Sequence, residues 1–409
     1  MSLALLYADD IVLLAENEKQ LCKMLVIADN FAVKWGLKFN SRKSKVLIIG
    51  KRVDPLRKWV LGNSCIEEAN TYRYLGTIFS RTLSDLTHVK EYLVPKLRKL
   101  RGYITSILAK HDDINRIVFG NTLYRHVALP SLLHGCGIWM ENTCTSKKQL
   151  RSFQYNLARS ILRIKASPAY LATIGDLGWL PLSHEANKRR INYFNYVKYR
   201  TESQRLCNIV FKEMYKRFEQ GRGSSWPYFV EIKNILNYAG MDWAFYSDNG
   251  DWLPRFSHLQ TEAWNLEFFK QLDELPTLDL YKRFKTDTSL ENYMLNIRDF
   301  NGVKNKFRAR TATLGLNNDQ ERWGVRDSSC DFCGSHREDI FHVFFSCPTY
   351  TDIRSDLFYG IEVQLLENGL SFLWEEFMAS SLLNKIKFLI GYVAKLHSKC
   401  AFQIFNKDI

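Results

Sequence analysis

Two groups of side chains in this sequence have the types and spacing to hold a metal ion. Asp9 and Asp10 are adjacent and stand between two apolar runs, Leu3-Ala4-Leu5-Leu6-Tyr7-Ala8 and Ile11-Val12-Leu13-Leu14-Ala15. Neighbouring carboxylates at the tip of a buried hairpin repel each other and resist loss of water. A hard divalent cation relieves both penalties. Mg²⁺ suits the pair because carboxylates fill only part of its shell and leave room for water and substrate phosphates. In a two-metal displacement such ions polarise an attacking hydroxyl and stabilise a leaving pyrophosphate. Far along the chain, Cys330, Cys333, His342 and Cys347 follow the spacing C-x₂-C-x₈-H-x₄-C. Three thiolates and an imidazole close a tetrahedral Zn²⁺ shell, which makes a structural site with no water left to activate. Gly334 after the second Cys suits a tight knuckle. His336 stands close enough in sequence to rival His342 as the fourth ligand.

The elements that must position these groups follow from periodicity. Residues 3–14 read as a hairpin around the acidic pair. Asn17 caps a helix with apolar positions Leu21, Met24, Leu25, Ala28, Phe31 and Ala32, and Gly36 ends it. Val46 to Ile49 reads as a buried strand stopped by Gly50, and strands near 58–67 and 71–79 complete a small antiparallel sheet with the helix over one face. From Ser84 the pattern turns helical, with Lys96, Arg98, Lys99 and Arg101 beside an apolar stripe. Further helices are predicted over 112–129 and 146–165, broken at Pro130 and Pro168. The stretch Asn187–Arg200 interleaves cations with aromatics. Its cations could track phosphates while rings stack on bases, or the rings could be core and the cations solvated. Residues 221–225 read as a linker, and 226–300 carry no usable motif. Lys304, Lys306, Arg308 and Arg310 form a basic strip that could contact phosphates. The fold class expected is α+β and mostly helical.

Composition narrows the partners. The 409 residues carry a formal charge of +14, which favours a polyanion such as nucleic acid. Nine cysteines, without a secretory leader, speak against a disulfide framework. No apolar run approaches the ~20 residues of a membrane span, so a soluble, intracellular protein is expected.

Tyr7-Ala8-Asp9-Asp10 resembles the palm motif of reverse transcriptases, and its Tyr-Ala form resembles the non-LTR retrotransposon (LINE-like) enzymes. Trp35-Gly36-Leu37-Lys38-Phe39-Asn40 with Ser41 to Lys45 resembles the segment after the palm helix. Tyr74-Leu75-Gly76-Thr77-Ile78 resembles the primer-grip hairpin. The Cys/His spacing resembles the zinc segment that follows the thumb in that family, which favours His342 over His336 and sets Phe344 and Phe345 beneath the metal. The resemblance implies that Asp9 is the principal Mg²⁺ ligand and Asp10 the weaker one. Tyr7 and Ala8 would line the primer end, Tyr74, Leu75 and Gly76 would support it, and Lys43 and Lys45 would contact substrate. Partners would be an RNA template and a DNA primer or target, with no membrane, in the nucleus. Lys96, Arg98, Lys99 and Arg101 would belong to a thumb gripping the duplex, and Lys304 to Arg310 to the basic lead-in to the zinc segment.

One departure matters. The family's first metal-binding aspartate lies on an earlier palm strand, and no other Asp here has such a context. The chain therefore reads as the C-terminal part of a reverse transcriptase, truncated and inactive as written. The alternative is a non-catalytic nucleic-acid-binding remnant. The expected organisation is a partial palm (1–82), helical thumb and connection (83–220), a mostly helical stretch (221–303), basic strip and zinc segment (304–350), and C-terminal helices (351–409).

Overall fold

A computed structural model describes residues 3–50, 57–110, 115–138, 144–222, 227–295, 300–340, 342–352, 355 and 359. The helices expected over 351–409 thus lie almost wholly outside the described residues. The chain divides into two compact units, Met1–Lys96 with Glu141–Ser146, and Leu97–Met140 with Lys147–Ile409.

The first unit holds all seven strands found among the described residues. β1 (Leu3–Tyr7) and β2 (Asp10–Leu14) form an antiparallel hairpin with Tyr7 opposite Asp10. α1 (Glu18–Trp35) starts where the Asn17 side chain accepts the Gln20 amide at 3.0 Å. It ends at Gly36, whose φ of 66° lets the Leu37 amide return to the Ala32 carbonyl at 2.8 Å. Both helix ends match the expectation.

The sheet does not. Three small sheets replace the single one: β1-β2, then β3 (Lys45–Val46), β5 (Ser64–Glu68) and β4 (Trp59–Leu61) in the order β3-β5-β4, then β6 (Thr71–Tyr74) with β7 (Thr77–Ser80). Gly62 (φ 58°) folds β4 back on β5, and a Cβ there would meet the Asp29 carboxylate at 2.6 Å. The strand predicted over Val46 to Ile49 pairs only through Lys45 and Val46, in parallel with β5.

Leu25 of α1 packs with Val46, Trp59, Leu61 and Ile66, and Leu13 adds to this small core from β2. The core is too small to cover every apolar residue. Leu6 and Tyr7 on β1, and Ile27, Phe31 and Trp35 on α1, are all more than half exposed. The hairpin expected to be buried is therefore largely open to solvent. Periodicity shows which positions are apolar; it does not show whether anything lies against them.

The helical pattern from Ser84 appears as α2 (Asp85–His88), one π turn (Val89–Leu93) and α3 (Val94–Lys110), with Val89, Leu93, Leu97, Ile104 and Leu108 buried. The second unit continues through α4 (Arg116–Leu123), a π turn and α5 (Leu129–Leu132), then α6 (Cys144–Leu162), α7 (Tyr170–Asp176) and α8 (Leu182–Asn195). Pro130 does not break its helix. It lies just past the π turn Tyr124–Ala128 in one unbroken helical run from Arg116 to Leu132, and such a widened turn accommodates a proline's missing N–H. α9 (Leu206–Glu219), α10 (Pro227–Tyr238) and α11 (Leu253–Asp273) follow, then α12 (Asp279–Phe284), α13 (Phe300–Arg310) and α14 (Asn317–Glu321).

The helices on either side of 221–225 share one core. Phe211 of α9 and Phe229 of α10 pack with Phe194 and Phe245. That core also decides the reading of Asn187–Arg200. Arg190 is 1% exposed, with its Nε bonded to the Cys136 carbonyl. Lys198 donates to the carbonyls of Phe245 and Ser247 at 2.7 and 3.0 Å, and burial pulls its ammonium down to about 8. These two cations tie the fold together, although Tyr193 and Tyr196 keep exposed edges.

Candidate catalytic turn and metal centre

The acidic pair straddles the end of a two-residue loop: Asp9 lies on the loop Ala8-Asp9, and Asp10, paired with Tyr7, opens β2. Ala8 has φ 50°, a left-handed conformation that costs an L-residue roughly 1 kcal/mol. Directly opposed residues share a face of the ladder, so Tyr7 and Asp10 stand on the same side while Asp9 caps the tip. All three are exposed. Two hard carboxylates on an open tip suit an ion that keeps water and phosphate in its shell. Among the described residues, no third metal-ligating side chain joins them.

A second two-residue loop differs from the first, in which only Ala8 has positive φ. Leu75 (φ 45°) and Gly76 (φ 82°) connect Tyr74 to Thr77, so the Tyr-Leu-Gly motif is the tip of the β6-β7 hairpin. Positive φ at both loop positions matches the twist of the flanking strands. Beside it, Arg73 stacks on the ring of Tyr92 at 4.6 Å, and Lys96 lies over the same ring at 5.0 Å. Lys96 is thereby half-buried, whereas Arg98, Lys99 and Arg101 remain exposed. Lys45 ion-pairs with Glu67 at 2.5 Å, holding that carboxyl below its ordinary value, and the Lys43 carbonyl accepts from Tyr72 at 3.3 Å.

The second constellation closes as its spacing suggested. One ligand atom from each of Cys330, Cys333, His342 and Cys347 lies within 4.8 Å of the others. Tetrahedral Zn²⁺ with bonds of about 2.0–2.3 Å sets its ligand atoms roughly 3.3–3.8 Å apart, so a donor set already within 4.8 Å is compatible with the ion after a small contraction. The first two cysteines flank a knuckle in which the Gly334 amide returns to the Cys330 carbonyl at 2.9 Å, with Gly334 at φ 71°. Burial pushes the Cys330 thiol up, and the Ser335 backbone amide holds Cys333 down. His342 and Cys347 are set by one π turn, whose amide–carbonyl bond from Cys347 to His342 is 2.7 Å. His336 is exposed and outside the cluster, so the rivalry falls to His342. The side chains of Phe344 and Phe345 lie outside the described residues.

Sequence reasoning missed Glu338. It is fully buried, accepts the Asn317 amide at 2.8 Å and lies 4.0 Å from the Cys330 sulfur. The Asn317 side chain in turn donates to the Ser329 carbonyl and to Asp331. Nothing in the local sequence marks Glu338, because its burial depends on a partner 21 positions away.

The basic strip needs correction. Arg310 is 1% exposed and contacts Asp176 and Glu291 at 3.5 and 3.1 Å, with Lys285 2.9 Å from Glu291. The Tyr293 hydroxyl donates to Asp176. Burial pushes the Asp176 carboxyl above its ordinary value against the pull of Arg310 and Lys285; at Glu291 burial acts the same way, but those cations win and lower it. Arg310 is thus committed to an internal charge network and is no phosphate contact. Arg308 is partly committed too, donating to the carbonyls of Thr313 and Leu314 at 3.0 and 2.6 Å. Lys306 lies over Tyr293 at 4.7 Å, and Lys304 is half-buried. One signal was available: Asp176 is a lone charge in the run Tyr170 to Leu182, which implies a buried partner.

The sequence model of the reverse transcriptase (RNA-dependent DNA polymerase) family matches residues 2–79. The match runs from β1 into β7 and contains both two-residue loops. Residues 2–79 are therefore similar to part of a reverse transcriptase domain. No curated protein and no solved structure matches the chain.

Proposed function

We propose that this chain is the later palm, thumb and zinc-binding region of a non-LTR retrotransposon reverse transcriptase, acting on an RNA template and a DNA primer in the nucleus. The observation that carries this reading is the Tyr7-Ala8-Asp9-Asp10 loop at the tip of an antiparallel hairpin inside the matched segment. Asp9 and Asp10 would hold Mg²⁺, which supplies charge neutralisation at the triphosphate and activation of the primer hydroxyl. Ala8 keeps the tip narrow, so the backbone leaves space beside the carboxylates. Tyr7, on the face shared with Asp10, offers a ring edge to the primer end. The Leu75-Gly76 loop offers a second narrow tip for the primer strand. Cys330, Cys333, His342 and Cys347 would hold Zn²⁺ in a closed, structural shell.

One observation favours a second reading. No third carboxylate accompanies Asp9 and Asp10 among the described residues, and a pair alone is a thin ligand set for two-metal chemistry. In that reading the chain binds nucleic acid and does not polymerise.

Primer extension on an RNA template with Mg²⁺ separates the two. Extension that Asp9→Asn lowers by at least about 100-fold supports the polymerase, a loss in the range seen when one electrostatic catalytic group is removed. Salt-sensitive binding without extension supports the second reading.

A further inference from the structure

The chain from residue 142 to 175 contains no acidic side chain, and neither does the chain from 300 to 318. The positive charge of each run is therefore not balanced from within the run, although Arg310 pairs with Asp176 and Glu291 from elsewhere in the chain. Within the second unit the two runs meet: the Arg163 guanidinium lies over the ring of Phe300, 5.8 Å from its centre. Lys304, one turn further along α13, sits below its ordinary value through burial and then the nearby charges of Arg308, Arg163 and Lys165.

The rest of the track is mounted on tyrosines. Arg159 lies over Tyr155 at 5.3 Å and donates to the Lys165 carbonyl at 2.5 Å. Arg151 lies over Tyr170 at 4.3 Å, and the two tyrosine rings meet edge-on at 6.4 Å. Both hydroxyls are spent inward, on the Pro168 carbonyl and on Gln154, each at 2.6 Å. The rings therefore act as pedestals that fix guanidinium groups and are not open to stacking by bases. Along α6, Arg151 to Arg159 spans about 12 Å, roughly three to four nucleotide steps.

Arg163 supplies a second, independent observation. It follows α6 at the position where the Ile164 amide returns to the Arg159 carbonyl at 3.1 Å, and its φ is 49°. Glycine is the residue that suits this place, and arginine is strained there. A cation near a helix C-terminus also meets the helix dipole favourably, so the strain alone does not assign a role.

We propose that Arg151, Arg159, Arg163, Lys165 and Lys304 form a sequence-independent binding surface for the phosphate backbone of a nucleic acid, separate from the palm segment. The choice of nucleic acid among polyanions rests on the reading given under Proposed function. Guanidinium forks match phosphate oxygens two at a time, and fixed forks lose little freedom on binding. Contacts made to phosphates hold a strand in place without selecting its sequence.

The test uses the full chain and a labelled RNA–DNA hybrid duplex of mixed sequence, titrated with salt. Arg163→Gly is the decisive variant, because glycine relieves the strained φ while deleting the charge. It is expected to keep or raise Tm, to weaken binding about 3- to 10-fold on every duplex sequence, and to flatten the slope of log K against log salt by about one unit. A triple variant (Arg159→Gln, Lys165→Gln, Lys304→Gln) is expected to flatten it by about two to three units. Wild-type affinity in both charge variants, or a loss confined to one duplex sequence, would each overturn the proposal. So would phosphatidylserine vesicles that bind as tightly and respond to the same variants, which would mark a membrane surface. Absence of primer extension with these binding changes intact would sink the polymerase reading and leave this surface standing.

Discussion

Asp9 and Asp10 are held by a single two-residue loop and face solvent, whereas Cys330, Cys333, His342 and Cys347 are enclosed by a knuckle, a π turn and the buried Glu338. On the proposed reading, the difference follows from what would complete each shell. An ion that must take substrate oxygens needs an open tip and few protein ligands. An ion that holds a small module together needs all its ligands from the chain, shielded from water. Among the described residues, the buried apolar side chains beside the cysteines are Leu316, Val343 and Tyr350, a small core of the kind a metal site staples.

The contrast breaks most visibly at the metal centre. Cys347→Ser should abolish zinc binding, measured by metal content, and expose the amides of 328–350 to hydrogen exchange. The energy at stake is on the order of 10 kcal/mol, as for other structural zinc modules. Retained protection without metal would remove the structural role.

Buried and exposed carboxylates should diverge next. Asp176→Ala leaves Arg310 and Lys285 without one of their two partners and should cost about 3–5 kcal/mol in urea unfolding. Asp9→Asn, on the open tip, should change stability by less than about 0.5 kcal/mol. Equal effects at the two sites would erase the distinction.

A smaller effect concerns His184, packed between Tyr238 and Trp264 at 5.2 and 5.1 Å. Burial lowers its imidazole to about 4 from an ordinary 6.5. The folded chain therefore keeps it neutral while the unfolded chain takes up a proton below 6.5. Protons favour unfolding across that window, and stability should fall by about 3 kcal/mol as pH drops from 6.5 to 4. His184→Gln should flatten that part of the stability–pH curve.

Much of this was legible beforehand for physical reasons. Asn17 and Gly36 act through their own backbone, so the ends of α1 can be read locally. The cysteine spacing is also local in part, since one knuckle and one π turn place all four ligands. Arg310 was misread because its partner Asp176 is far away in the chain, and a strip of alternating cations looks solvated until its partners are known. The hairpin was misread for the opposite reason: its apolar runs are real, but most of what they could pack against is absent from the small core around Trp59. Glu338 carried no local signal at all.

The internal charges at positions 176, 285, 291 and 310 also constrain descent. Two anions and two cations cancel, and no one of them can change sign or vanish without stranding another away from water. Copies of this gene drifting without selection would lose the quartet piecemeal, and each loss would arrive as an unstable protein. Related copies that still fold should therefore carry either all four or a wholesale apolar exchange, with few intermediates surviving between.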